Sequence, residues 1–159
     1  MQEYRSTREW PFHISSGGAV YKDENGQRTY AILFRGERFG KYGNSWHLPK
    51  GTLTSEETLE QCALREIREE SGLEVAITAY LGAIHDAWHS EKEDRDIDKT
   101  THYFLCRYIS GNSSMMDQEH DELQWLPADQ AKGKLSLTPK YEALIIERAE
   151  KYIDSLQNS

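Results

Sequence analysis

The chain has 159 residues, 37% of them hydrophobic and 11% aromatic, and a formal net charge of −8. The length suits one domain able to bury a core, and the aromatic content argues against disorder. With no basic run the sequence does not read as a duplex nucleic-acid binder, and a polyanionic substrate would need a divalent cation or a local basic pocket.

Residues 1–12 are mixed in character and are expected to be peripheral to a single domain spanning 1–159. SSGGAVYK (15–22) and TYAILFR (29–35) read as strands joined by the turn DENG (23–26), an antiparallel pair. RGERFGKYGNS (35–45) reads as a loop, and WHLPKGTLT (46–54) as a short strand ending around Pro49 and Gly51. Thr54 with Glu57 makes a capping-box signature. It predicts a helix over 55–71, stopped by Gly72.

LEVAITAYLGAIHDAW (73–88) supplies one or two strands, HSEKEDRDIDKT (89–100) a charged loop, and THYFLCRYI (101–109) a further strand. GNSSMMDQEHDE (111–122) is a second polar loop and LQWLP (123–127) a short strand. In the segment 139–156, Tyr141, Leu144, Ile145, Ala149 and Ile153 recur at helical spacing, which predicts an amphipathic helix. The order of strands, helix, strands and helix describes an α+β fold with helices packed on a sheet. Cys62 and Cys106 are expected to be buried free thiols. No leader pattern opens the chain and no apolar run approaches bilayer length, so the expected location is cytoplasmic, with no membrane partner.

The segment REIREESG (65–72) carries Glu66, Glu69 and Glu70, close enough on a helix to repel one another. At about 100° per residue, Glu66 and Glu70 are nearly superposed and Glu69 lies within a turn of both. Leu59, Cys62 and Ala63 share that face, so the acids continue the apolar stripe, whereas a solvated face would stand opposite it. Arg65 and Arg68 are expected to project toward other sides. A half-buried carboxylate must be paired or bind a metal. Either a Mg²⁺ or Mn²⁺ site or a solvated acidic helix fits this pattern.

Gly51, Glu57, Arg65, Glu66, Ile67, Glu69, Glu70, Gly72 and Leu73 also fall in register with a longer pattern: Gly, five residues, Glu, seven residues, then Arg-Glu-hydrophobic-x-Glu-Glu-x-Gly-hydrophobic. In this the chain resembles the Nudix hydrolases. The resemblance implies an α/β/α sandwich around a mixed sheet and a metal-dependent hydrolase of a nucleoside diphosphate linked to another group. It implies that Glu66, Glu69 and Glu70 ligate Mg²⁺ or Mn²⁺, that Glu57 is a further ligand or supports the ligands, and that Arg65 orients them. Lys50 and Gly51 would approach metal and substrate.

KTTHYFLCRY and QEHDELQWLP, with Lys99, Tyr103, Glu119, His120 and Trp125, are similar to the asymmetric diadenosine tetraphosphate hydrolases, and the lead-in WHLPKG resembles that of the dinucleoside polyphosphate and diphosphoinositol branches. That similarity implies dinucleoside polyphosphates as substrates, Glu119 as a metal ligand or base, and Tyr103 as an adenine-stacking residue. His47 would meet a phosphate or serve the structure, and Arg35, Arg38 and Lys41 would form a basic rim. Lys92, Arg95 or Lys99 would bring the charged loop to a phosphate. The competing readings are nucleoside triphosphates, ADP-ribose or inositol pyrophosphates as substrates, and a nucleotide-binding regulator without turnover. His13, His85 and His89 carry no assigned role.

Overall fold

The computed structural model describes residues 2–138 and 141–158, with backbone alone at Lys41 and Tyr42. The first strands are β1 (Phe12–Glu24) and β2 (Gln27–Arg35). Asn25 (φ 53°) and Gly26 (φ 77°) form the left-handed turn between them, the geometry that suits the twist of a two-residue hairpin. A short 3-10 turn, Glu37–Tyr42, follows where a loop is expected. The expected single strand over 46–54 is two: β3 (Ser45–His47) pairs with β2, whereas β4 (Lys50–Thr52) pairs with β1. Pro49, which lacks an amide hydrogen, separates them.

Helix α1 (Leu59–Ser71) begins four residues later than the sequence predicts. The segment holds two consecutive capping-box signatures, and the second one starts the helix. Thr58 accepts from the Gln61 amide, and the Gln61 side chain accepts in return from the Thr58 amide. Glu57 does accept from the Thr54 amide, but Arg65 holds the rest of its carboxylate. Gly72, at φ 76°, closes the helix in the left-handed conformation as expected.

Strand β5 (Leu73–Ser90) and β6 (Arg95–Gly111) form one long antiparallel pair. The expected charged loop over 89–100 is therefore mostly sheet, with only residues 91–94 in the turn. Trp88 pairs with Ile97 across the ladder, and His85 and His89 hydrogen-bond Asp98 and Asp96, so the charged side chains decorate an extended hairpin. The remaining elements are β7 (Glu122–Pro127), α2 (Ala128–Leu135), which the sequence reading did not find, and α3 (Ala143–Gln157). Pro139 and Lys140 of the expected final helix lie outside the described residues.

The main sheet path is β3-β2-β1-β6-β5, with β4 added on β1 and β7 on β2. Among the described strands only β1 and β6 run parallel, so the sheet is mixed. Alternation along the central strands divides their side chains between two cores. Val20, Ala31, Phe104 and Cys106 face α1, against Ala63 and Ile67. Ala19, Tyr30, Ile32, Tyr103 and Leu105 face α2 and α3, against Leu135, Ile145, Ile146 and Ala149. Each large aliphatic buried in these layers contributes roughly 1.5–3 kcal/mol. The result is an α/β/α sandwich. Cys62 and Cys106 are buried and unbridged, as expected. Tyr141 precedes α3 and is exposed, and on the helix Leu144 is exposed while Ile146 takes the inward position. Among the described residues no helix is long and apolar enough to cross a membrane.

Candidate functional site

Strand β4 brings the chain across the middle of α1. Gly51 passes so close to Glu66 that a Cβ there would lie 2.0 Å from the Glu66 carboxyl carbon, so any larger residue must displace that acid. Its neighbour Lys50 donates its amide to Glu70 Oε2 at 2.9 Å. The two acids thus turn toward β4, on the same side as buried Cys62, as the helical register implies.

Arg65 does not project away. It folds back and organises the cluster. Nη2 and Nε donate to the two oxygens of Glu57 at 2.6 and 3.0 Å, and Nη1 donates to Glu66 at 2.7 Å and Glu69 at 3.3 Å. Nη2 also reaches the Thr52 carbonyl at 3.1 Å. Glu57, gripped by Arg65, is held at a pKa of about 2, and its oxygens are committed to that guanidinium. Its position is that of a support. Arg68 does turn away, to Glu74.

Glu66, Glu69, Glu70, Asp117 and Glu119 line one cavity of about 220 Å³ with Gly51 and Thr52. Glu70 is the most enclosed at 7% exposure, and desolvation pushes its pKa up to about 8. Burial raises Glu66 as well. A carboxylate whose burial favours the protonated form, beside five other carboxylates with Glu3 among them, is the donor set that a hard divalent cation compensates. Asp117 was not foreseen. Its amide donates to the Glu69 carbonyl at 3.0 Å, tying the 112–121 loop to the end of α1. Glu119 is largely exposed and lies 3.6 Å from Arg35.

Glu70, Asp117 and His120 each place a ligand atom within 4.8 Å of the others. Both nitrogens of His120 are engaged, however. Nδ1 meets Asp117 Oδ1 at 3.0 Å, and Nε2 meets His47 Nε2 at 2.6 Å. Burial lowers the His120 pKa despite Asp117, and the contact with His47 ties the two rings together. The pair braces the loop, and the ligand set is one of oxygens, which suits Mg²⁺ or Mn²⁺.

A second cavity, about 170 Å³, adjoins the first. Arg5, His13, Arg35, His47, Lys50 and Lys99 line it, and it shares Arg5, Gly51, Thr52 and Glu70 with the acidic cavity. The expected Arg35, His47, Lys50 and Lys99 are brought together here, whereas Arg38 is drawn off by Asp121 and Gln118. Lys41 lies outside the described side chains. Arg5 and His13 were missed. Residue 13 sits beside Lys99 only through the β1–β6 register, which no local pattern reveals.

Tyr103 is corrected outright. It is 2% exposed, packed in the core beneath α2 and α3, with its hydroxyl donating to Glu142 at 2.6 Å. No face of its ring is open to a base. Lys92 and Arg95 do not line either cavity, and Arg95 is held by Glu93 and Ser6.

A family model described as NUDIX domain matches residues 11–147. The chain is 36% identical over 157 residues to a Mycobacterium tuberculosis protein provisionally named mutator protein MutT4, covering 96% of this chain and 61% of that protein's length. It is 24% identical over 123 residues to an RNA pyrophosphohydrolase of Sphingopyxis alaskensis, covering 70% and 78% of the two. A binary complex of the Caenorhabditis elegans Ap4A hydrolase shares its fold, with TM-score 0.71 and 16% identity over 90% of this chain and 98% of the other. The NUDIX domain of Shewanella oneidensis NrtR, solved with ADP ribose, does likewise at TM-score 0.68 and 14% identity, covering 89% and 88%.

Proposed function

The chain belongs to the NUDIX family, and we propose that within it the protein is a divalent-metal-dependent pyrophosphohydrolase of nucleotides that carry a polyphosphate chain. One observation carries this reading: a carboxylate-lined cavity and a cation-lined cavity share the wall formed by Gly51, Thr52, Glu70 and Arg5. A polyphosphate laid across that wall places one phosphate among the acids, through a cation, and the next among Arg35, His47, Lys50 and Lys99. The −8 chain thereby gains a local attraction for a polyanion.

Glu66, Glu69 and Glu70 would hold the metal, with Asp117 and Glu119 within the same cavity. A cation bound there neutralises phosphate charge, polarises the P–O bond and lowers the pKa of water. The protein's own groups supply the rest. Arg65 fixes the acids, the basic cavity orients the phosphate chain, and a carboxylate of the acidic cavity accepts the proton from the attacking water.

The substrate class follows from size. Cavities of about 170 and 220 Å³ are smaller than the roughly 300–1,000 Å³ of sites that enclose a ligand. They suit phosphates and leave the base outside, and the buried Tyr103 provides no stacking platform. Phosphate-chain length, more than base identity, therefore ranks the substrates. Nucleoside triphosphates and dinucleoside polyphosphates are the favoured pair, and diadenosine tetraphosphate would yield ATP and AMP. Product chromatography on diadenosine tetraphosphate, a nucleoside triphosphate, ADP-ribose and an inositol pyrophosphate tests this. Cleavage of the first two with Mg²⁺ supports it, and cleavage of ADP-ribose alone overturns the ranking.

A further inference from the structure

Residues 2–11 do more than border the domain. The Tyr4 amide donates to the Leu53 carbonyl at 2.8 Å, the Ser55 amide to Gln2 at 2.7 Å and the Ile14 amide to Tyr4 at 2.9 Å. Glu3 bridges to Thr54. These bonds lay the segment antiparallel along residues 53–55, just beyond β4, and so fix the backbone immediately before Arg5. The guanidinium is then steered by two contacts. Nε donates to Glu3 Oε2 at 2.9 Å and Nη2 to Thr52 Oγ1 at 3.3 Å. Thr52 Oγ1 in turn meets His13 Nε2 at 3.1 Å, inside the basic cavity.

Arg5 is the only cationic side chain on the wall that the two cavities share, among the described residues. An exposed pair with Glu3 would by itself contribute little, and the Arg5 side chain is 57% exposed. Its charge nevertheless acts on the cavity, for Arg5 is one of the cations that disfavour the protonated form of His13. A planar fork held at the junction of a metal-binding and a basic cavity is shaped for a phosphate that spans them.

We propose that Arg5 is a substrate-binding residue that grips the phosphate bridging the acidic and basic cavities. This makes the segment before β1 part of the site and gives a physical basis for selecting chains with a phosphate beyond the cleaved linkage. The inference rests on the pyrophosphohydrolase reading for its place in catalysis, but its binding test stands apart from turnover.

The test uses the full chain with Arg5→Ala and Arg5→Lys. Calorimetry follows inorganic tripolyphosphate without added cation, and steady-state kinetics follow the triphosphate substrate with Mg²⁺. Arg5→Ala should weaken tripolyphosphate binding by roughly ten- to hundredfold at unchanged melting temperature, the loss of a charge-assisted contact. It should raise KM in step, and Arg5→Lys should restore only part. Binding by Arg5→Ala within about twofold of the unaltered protein would overturn the proposal. So would failure of the unaltered protein to bind tripolyphosphate. If Arg5→Ala loses binding while the unaltered protein cleaves no substrate tested, the Arg5 assignment stands and the hydrolase reading fails.

Discussion

The Lys50 ammonium lies 3.0 Å from Oε2 of Glu142, an acid only 1% exposed. The same carboxylate accepts the Leu48 amide at 3.1 Å and the Tyr103 hydroxyl at 2.6 Å. One residue at the start of α3 thus anchors the turn before β4 and pairs the lysine that borders the basic cavity. Glu142→Ala leaves a buried ammonium, an amide and a hydroxyl without their acceptor. We expect it to destabilise the fold by about 3–5 kcal/mol in urea denaturation, as for other broken buried pairs. A loss under about 1 kcal/mol would show that water replaces the carboxylate.

Arg65 joins Glu57, Glu66, Glu69 and the Thr52 carbonyl. A lysine has no planar fork to do this. Arg65→Lys should therefore keep the fold and weaken Mn²⁺ binding about 10- to 100-fold, as loss of outer support does at other metal sites. Calorimetric titration with Mn²⁺ measures it, and unchanged affinity would remove Arg65 from the site's support.

Gly51→Ala places a methyl on the Glu66 carboxylate. That acid must move, and a displacement of about 1 Å can lower rate about a hundredfold. The expected outcome is a fall of at least about tenfold in kcat with the circular dichroism spectrum retained. Full activity would mean that β4 yields more easily than its pairing with β1 suggests.

His13 supplies a pH dependence. Burial first, then Lys99, Arg5 and Arg95, lower its pKa from 6.5 to about 4. The folded protein resists a proton that the unfolded chain accepts, so this contribution to stability is present above pH 6.5 and lost as pH falls toward 4. His13→Asn should thus gain stability relative to the unaltered protein at pH 5 compared with pH 7.5. Bound tripolyphosphate should raise the His13 pKa, seen as a shift in its imidazole NMR titration. A midpoint unmoved by the anion would place His13 away from the bound phosphates.

The carboxylate cluster was legible because its information is local. Gly51, Glu57 and residues 65–73 form one continuous segment, and helical geometry alone sets Glu66 above Glu70. The β1–β2 turn was legible for the same reason, through Asn25-Gly26. Local signals misled where two competed, as with Thr54 and Thr58 for the start of α1. They also misled where polarity suggested a loop and cross-strand pairing made a hairpin, as over residues 89–100. Tyr103 shows a deeper limit. Alternation in YFLCRY says that Tyr103 and Phe104 face opposite sides, but not which side is covered by α2 and α3. The basic cavity was only half visible, because Arg5, His13 and Lys99 meet through pairings between segments far apart in sequence.

In this reading of the site, the acidic cavity holds the cation on which turnover depends. That dependence is tested most directly by the kcat of Glu70→Gln on a triphosphate or diadenosine tetraphosphate at saturating Mg²⁺, alongside thermal denaturation without metal. Burial favours the neutral form of this acid, so the glutamine variant should fold with stability at least equal to that of the metal-free protein. Its kcat should fall at least about a thousandfold, the loss expected when metal assistance is withdrawn. A folded Glu70→Gln protein that turns over within about tenfold of the unaltered one would contradict the account.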